Sequence, residues 1–328
     1  MIEKNVFSFH ESPKDDWTWT ETTFLFFSVP EEGISGSIYV LARPNLGVCH
    51  SSIEIHKGFC LHPWQTAFMD AQMHLPCPEN FSKFKLPNGL EFEVTNDPKD
   101  FRFAYKSKDG ACAFDLDFKA LSYPFDPHDP NDNPLLKTDV KAAKVPGYEG
   151  WHNGHMESNG RITGTLELNG KKYRVDCIDG MDKSWGPRPD FGQEGASWLH
   201  VSTGNDFSAF LAVALNFDQK ELVYGPLRFG FVSDNGETTG IVEAEMKSQR
   251  RDMHSLRTTI KFRDAKNRVF EAVGTPLAAA PWYTFNPSAV SYQTLMQWQC
   301  NGKTGVSHLT DFLGINYLAR GMADQHSC

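Results

Sequence analysis

No apolar run in this chain approaches the roughly 20 residues that a membrane-spanning helix needs. The first sixteen residues, Met1–Asp16, are polar and acidic and lack the apolar core of a secretory signal. The expected compartment is therefore the cytoplasm, with no integral membrane segment. Blocks of like charge are also missing, and the formal net charge is -9. Without a basic patch to neutralise phosphates, nucleic acid is excluded as a partner. There is no Cys-x-x-Cys. The seven cysteines, at positions 49, 60, 77, 112, 177, 300 and 328, are scattered and odd in number. That pattern fits free thiols in a reducing compartment, not a disulfide framework or a zinc ribbon. Cys177 reads as a small buried apolar residue. The chain has no Gly-x-Ser-x-Gly elbow, no Walker loop and no dinucleotide fingerprint, which counts against a serine hydrolase, a kinase and a nicotinamide dehydrogenase. No cofactor is implied. Nor does any amphipathic helical pattern run for 12 or more residues.

What the chain has instead is aromatic residues and alternation. Phe, Trp and Tyr make up 13% of it, with 25 Phe and 8 Trp. Such a surplus suits a dense β core or an aromatic-lined cavity. Strands are predicted at Thr22–Val29, Ser35–Ala42, Ser51–Lys57, Leu90–Thr95, Phe101–Ser107 and Ala113–Leu121. In the last of these, Phe114, Leu116 and Phe118 alternate with Asp115, Asp117 and Lys119, the period-two signature of a half-buried strand. From Tyr123 to Tyr148 five prolines mix with Asp and Asn, and a short helix around Leu135–Lys144 is the only regular element expected there. We read this stretch as the boundary between two β units, residues 1–147 and 148–328. In the second unit the predicted strands are Arg161–Leu168, Lys171–Ile178, Ser197–Thr203, Phe207–Asn216, Leu227–Ser233, Thr239–Lys247, Ser255–Arg263, Arg268–Val273, Ser291–Cys300 and Gly305–Leu313. Asn169-Gly170 joins two of them as a two-residue hairpin. The segments around Asn159-Gly160 and Asn301-Gly302 resemble each other and both read as Asn-Gly turns. Many strands joined by short turns argue for a barrel or sandwich in each half.

The chemistry-bearing residues cluster. Residues 178–188, Ile-Asp-Gly-Met-Asp-Lys-Ser-Trp-Gly-Pro-Arg, follow a predicted strand and read as a turn rich in charge, with either an Asp182–Arg188 ion pair or a site. Upstream, His155 and Glu157 share a face if extended. They form an acid–base pair, a simple hydrogen bond, or two ligands of a metal completed by His152. In Phe68–Pro78, Asp70, Gln72 and His74 share a face that is either solvated or functional. Trp198 and His200 share another, and Trp198 with Trp185 offers an aromatic wall or two core residues.

On His155-Met-Glu157, Gly160–Gly164, Gly170 and Asp182-Lys-Ser-Trp-Gly-Pro-Arg188, the chain resembles the carotenoid 1,2-hydratase (hydroxyneurosporene synthase) and AttH-like family. The likeness is clear over residues 150–190 and looser over Asp70–Glu79. It departs from the family at Lys183, where relatives carry a histidine. The resemblance implies an all-β chain of two lipocalin-like antiparallel barrels in tandem, and a lipophilic small-molecule partner, terpenoid or steroid-like. It implies a cofactor-independent hydratase, dehydratase or isomerase in which Asp182 donates a proton to an alkene or tertiary alcohol, with His155 and Glu157 handling water. Trp185, Trp198, His74, Asp70, Lys183 and Arg188 are then the expected substrate-binding residues, with no metal. The rival is a tandem lipocalin-like carrier that binds apolar molecules without reacting with them.

Overall fold

The computed structural model describes residues 2, 4–138, 153–218 and 221–323. Its first ten strands are β1 (Trp19–Val29), β2 (Ile34–Arg43), β3 (Val48–Lys57), β4 (Phe68–Pro76), β5 (Lys83–Lys85), β6 (Glu91–Asn96), β7 (Asp100–Lys106), β8 (Cys112–Ala120), β9 (Gly154–Leu168) and β10 (Lys171–Pro187). They form one antiparallel sheet in the order β4-β3-β2-β1-β10-β9-β8-β7-β6-β5. The next eight are β11 (Gly195–Gly204), β12 (Phe207–Asp218), β13 (Glu221–Asp234), β14 (Glu237–Arg251), β15 (His254–Asp264), β16 (Val269–Asn286), β17 (Ala289–Cys300) and β18 (Lys303–Gly314). They meander in sequence order, and β18 returns to pair with β11, closing a barrel. The described helices are short: α1 (Leu135–Thr138) and α2 (Ile315–Met322), besides three 3₁₀ turns. The all-β expectation holds, with one closed barrel and one open, curled sheet whose edges are β4 and β5.

The alternation that predicted the strands also sets the faces. In β8, Phe114, Leu116 and Phe118 are buried while Asp115, Asp117 and Lys119 face solvent. They join a core that runs through the concavity of the first sheet, with Leu25, Phe27, Ile38, Phe92, Phe103 and Met156. A second core fills the barrel around Leu199, Leu211, Phe262, Met296 and Trp298. β1 is buried at nearly every position. Its odd-numbered side chains Leu25 and Phe27 enter the first core, whereas Phe24 and Phe26 meet aromatic rings of the barrel, Trp282 and His308. The two units thus dock through the outer face of the sheet and the outer wall of the barrel. Asn169-Gly170 forms the predicted hairpin, both residues at positive φ (50° and 80°), the geometry that this pair tolerates.

Three expectations are corrected. Both β9 and β10 belong to the first sheet, so the division between sheets falls between Pro187 and Gly195, not at residue 147. The proline-rich connection leaves β8 and comes back beside it as β9. On the way its described part covers the barrel, where Phe125 stacks on Phe231 at 5.1 Å. Second, Asn159-Gly160 lies inside β9 and is not a turn, unlike Asn301-Gly302. Third, residues 178–188 are not a loop: β10 continues to Pro187, paired with β9 on one side and β1 on the other. The helix expected over Leu135–Lys144 is seen as α1, and residues 139–144 lie outside the described residues.

Candidate active site

Because residues 178–187 are strand, side-chain parity decides what the motif presents. The register pairs Ser184 with His155, Asp182 with Glu157 and Gly180 with Asn159. On the other side, Phe24 lies opposite Asp182 and Thr22 opposite Ser184. These side chains stand on the outer face of the sheet and look at the barrel. Between the two units is a cavity of about 210 Å³. Its sheet side carries Phe24, Phe26, Tyr39, His155, Glu157 and Asp182. Its barrel side carries Trp198, His200, Trp282, Phe285 and Phe312, and Arg188 and Arg228 add positive charge.

His155 Nε2 lies 2.7 Å from Glu157 Oε1, and the Trp198 indole N–H donates to the same oxygen at 3.1 Å. Burial pushes the Glu157 carboxyl well above its usual range, against the indole hydrogen bond. Burial likewise lowers the His155 imidazole to about 4, so it is neutral at pH 7. Asp182 makes no hydrogen bond or ion pair among the described residues. It keeps some accessible surface, but that surface opens on the cavity. Burial raises its pKa to about 7, and the neighbouring Glu157 adds to the rise. The two carboxyl groups sit on directly paired residues, an arrangement in which both cannot ionise cheaply.

His200 reaches the cavity from β11, and the sequence singles it out only as a partner of Trp198. Its Nδ1 donates to Asn159 Oδ1 at 2.7 Å, which leaves Nε2 as the basic nitrogen, and burial lowers its pKa to about 4. The ring lies directly over Gly180, where a Cβ would come within 1.8 Å of its Cε1. Gly180 is thus the sequence trace of His200, legible only once the strands are paired.

The structure brings Asp182, His155, Glu157, Trp198 and Arg188 together. It does not bring in the other expected residues. Lys183 and Trp185 have the opposite parity and point to the inner side of the sheet. Buried Lys183 is ion-paired with buried Glu21, and its ammonium lies 4.9 Å from the Phe81 ring and 5.2 Å from Trp185. Trp185 stacks on His10 with ring centres 3.9 Å apart. Burial disfavours the Glu21 carboxylate, yet the Lys183 charge and the His10 hydrogen bonds outweigh it and hold its pKa below the usual value. Asp70 sits on edge strand β4, accepting from Tyr105 at 2.8 Å and Asn88 at 3.0 Å beside a separate surface depression. His74 is exposed at a bulge of β4, with φ 61°, so it does not share a face with Asp70 and Gln72. Asp182 and Arg188 form no ion pair, so that alternative for residues 178–188 falls. His152, the third ligand of the metal alternative, lies outside the described residues. Among the described residues no three His, Cys, Asp or Glu side chains group in a metal-holding arrangement.

Behind the Phe26 wall is a constellation that sequence reading missed altogether. His308 Nδ1 lies 2.6 Å from Asp179 Oδ2, and His308 Nε2 lies 2.6 Å from Ser35 Oγ. The Phe26 ring stacks on the imidazole at 4.3 Å. All three polar groups are buried, and none lines the cavity. Ser35 therefore has no route to a substrate. The trio instead fastens the barrel, through His308, to the first sheet.

Residues 8–311 match the family model described as a domain of unknown function, DUF7064. The chain belongs to the DUF7064 family. No curated protein matches it. This DUF7064 chain is similar in fold to the crystal structure of an AttH-like protein of Nitrosomonas europaea, at 11% identity and a TM-score of 0.61, covering 93% of this chain and 96% of that one. It is also similar to kievitone hydratase of Nectria haematococca, at 9% identity and a TM-score of 0.54, covering 96% of this chain and 93% of that one. At such identities the likeness establishes the tandem lipocalin-like fold of the DUF7064 chain, and the fold alone.

Proposed function

We propose that this protein is a cofactor-independent hydro-lyase or isomerase, acting by proton transfer from Asp182 to an alkene, or to the hydroxyl of a tertiary alcohol, in a lipophilic substrate. One observation carries the reading: an unpartnered carboxyl, raised to about pKa 7, opens into an aromatic-walled cavity. Protonating an unactivated alkene carbon takes an acid that is still protonated near neutral pH, which apolar surroundings provide. Proton transfer from Asp182 breaks the π bond and leaves a tertiary cation. The faces of Phe24, Trp198 and Phe312 stabilise that charge, each by about 0.5–2 kcal/mol. Water then adds to the cation and gives up a proton to the Glu157–His155 pair, from which Asp182, its cross-strand neighbour, is reprotonated. In reverse, the same groups dehydrate a tertiary alcohol, and loss of a different proton from the cation isomerises the alkene. The name of one fold neighbour, a hydratase, agrees with this chemistry.

The test is turnover of terpenoid and other prenyl-bearing alkenes and tertiary alcohols, followed by mass for gain or loss of water. Asp182→Asn should lower the rate by roughly 10²-fold or more while leaving ligand affinity intact. Unchanged turnover in that variant would refute the acid role. Binding without turnover by the wild-type chain across the panel would leave the carrier reading in its place.

A further inference from the structure

We infer that the cavity holds a second recognition element, built by Tyr39 and Arg188, for a negative or electron-rich oxygen on an unsaturated carbon: a carbonyl, enolate or phenolate. Tyr39 stands on β2 opposite Phe24, which in turn stands opposite Asp182 on β10. The three side chains form one row across three strands. Tyr39 and Asp182 are thus two strand spacings apart, about 10 Å between backbones, with the Phe24 ring between them.

The Arg188 guanidinium donates through one terminal nitrogen to the Tyr39 hydroxyl at 2.8 Å, and through the other to Ser184 Oγ at 2.9 Å. Its Nε is buried with no partner, and no carboxylate pairs with it among the described residues. A lining arginine without a counter-ion is costly unless a ligand supplies one. Tyr39 is buried; its hydroxyl accepts this charged hydrogen bond, while its own proton has no acceptor among the described residues. Accepting from a cation makes that O–H a stronger donor. The surrounding charge points the same way. Asp182 and Glu157 are shifted toward their neutral forms, Glu194 lies exposed, and Asp190, whose charge also reaches Tyr39, is ion-paired with Arg43 at 2.6 Å. A positive end of an otherwise apolar cavity selects an oxygen that carries negative charge. The favoured ligand is therefore an apolar molecule lying across Phe24, its oxygen at Tyr39 and its reacting carbon at Asp182. This inference rests on the cavity being the substrate site proposed above, but not on Asp182 being the acid.

The experiment uses the full chain with two probes of similar size, 2-naphthol and 2-methylnaphthalene, followed by fluorescence titration. Wild type should bind the naphthol about tenfold more tightly than its methyl counterpart, and bound naphthol should ionise about one pH unit lower than free naphthol, as read by naphtholate absorbance. Tyr39→Phe and Arg188→Met should each remove most of that preference while leaving 2-methylnaphthalene affinity unchanged, which also certifies that the variants are folded. Asp182→Asn should keep the naphthol preference, so failure of the acid reading does not touch this one. Equal affinity of wild type for both probes, or an undiminished preference in Tyr39→Phe, would overturn the inference. Failure of wild type to bind either probe would overturn it together with the substrate-site reading.

Discussion

Gly180 offers the sharpest test of how the two units fit together. In Gly180→Ala the new Cβ would lie 1.8 Å from His200 Cε1 and 2.3 Å from both ring nitrogens, far inside the 3.4 Å at which ordinary contact begins. The ring cannot swing away freely. It is 3% exposed, bonded to Asn159 at 2.7 Å, and packed 5.0 Å from Phe210 and 5.9 Å from Phe26. Forced displacement of a packed side chain costs about 1–3 kcal/mol, and stranding the buried Asn159 carbonyl costs about 1–3 kcal/mol more. Replacing a strand glycine returns roughly 0.5–1 kcal/mol. The net expectation is a loss of about 1–5 kcal/mol, which lowers the melting temperature by roughly 2–8 °C in a chain of this size. His200→Ala empties the space that the Cβ needs, so the double variant should be more stable than additivity allows, by about 2 kcal/mol. Urea denaturation of the wild type, the two single variants and the double variant measures this coupling. If the two costs simply add, the packing of His200 on Gly180, and with it the docking of barrel on sheet described here, is wrong.

Other consequences follow from the buried titratable groups. Glu54, on β3 in the seam with His56 Nδ1 3.8 Å away and no hydrogen bond among the described residues, is raised by burial to about 8, and Asp182 to about 7, so the folded chain holds protons that the unfolded chain has released. This contribution is lost as pH rises through 7 to 8, whereas His56, at about 3, and His155 and His200, at about 4, cost stability only as pH falls below about 6.5. Urea midpoints should therefore rise from pH 8 to pH 6.5 in wild type and rise less in Glu54→Gln; an identical slope in both would remove Glu54 from the account. His308→Ala leaves the Asp179 carboxylate buried without its imidazole and should cost about 3–5 kcal/mol, against about 1 kcal/mol for Ser35→Ala, both read by thermal melts. A fluorophosphonate should not label Ser35 in the native chain, and labelling there would mean that the seam opens. Lys183→Met, which strands Glu21 inside the first sheet, should be destabilising by about 3–5 kcal/mol, and Glu21→Leu in the same chain should recover most of the loss; no recovery would mean that the pair is not what holds Lys183 there.

Alternation makes the strands legible in the sequence, and it puts His155 with Glu157 and Trp198 with His200 on common faces. The resemblance singled out Asp182. The failures have one physical source. Residues 178–188 are dense in glycine, proline and charge, so they read as a turn, and a turn has no strand parity to read. Once they are strand, Asp182 and Ser184 must face one way and Lys183 and Trp185 the other. Long-range pairing was equally invisible: β1 pairs with β10, more than a hundred residues later in the chain, and nothing local announces it. That pairing carries Phe24 and, through β2, Tyr39 to Asp182. The same ignorance of pairing put the domain boundary in the proline-rich connection, which instead returns to its own sheet. Asp70 and His74 looked like one polar face because a bulge at His74 leaves no mark in the pattern of residue types.

Parity also changes what the departure at Lys183 means. Had residue 183 faced the cavity, a lysine in place of the histidine that the resemblance leads one to expect would have changed the chemistry there. It faces Glu21, Phe81 and Trp185 instead, where a lysine must find a carboxylate or give up its proton. Glu21 meets that demand, and His10 completes the carboxylate's hydrogen bonds from the N-terminal segment. The substitution is therefore a matter of how the back of β10 is braced. The front of the strand, where Asp182 opens on the cavity with no partner of its own, is free to serve the proton transfer proposed for it whatever residue stands behind it.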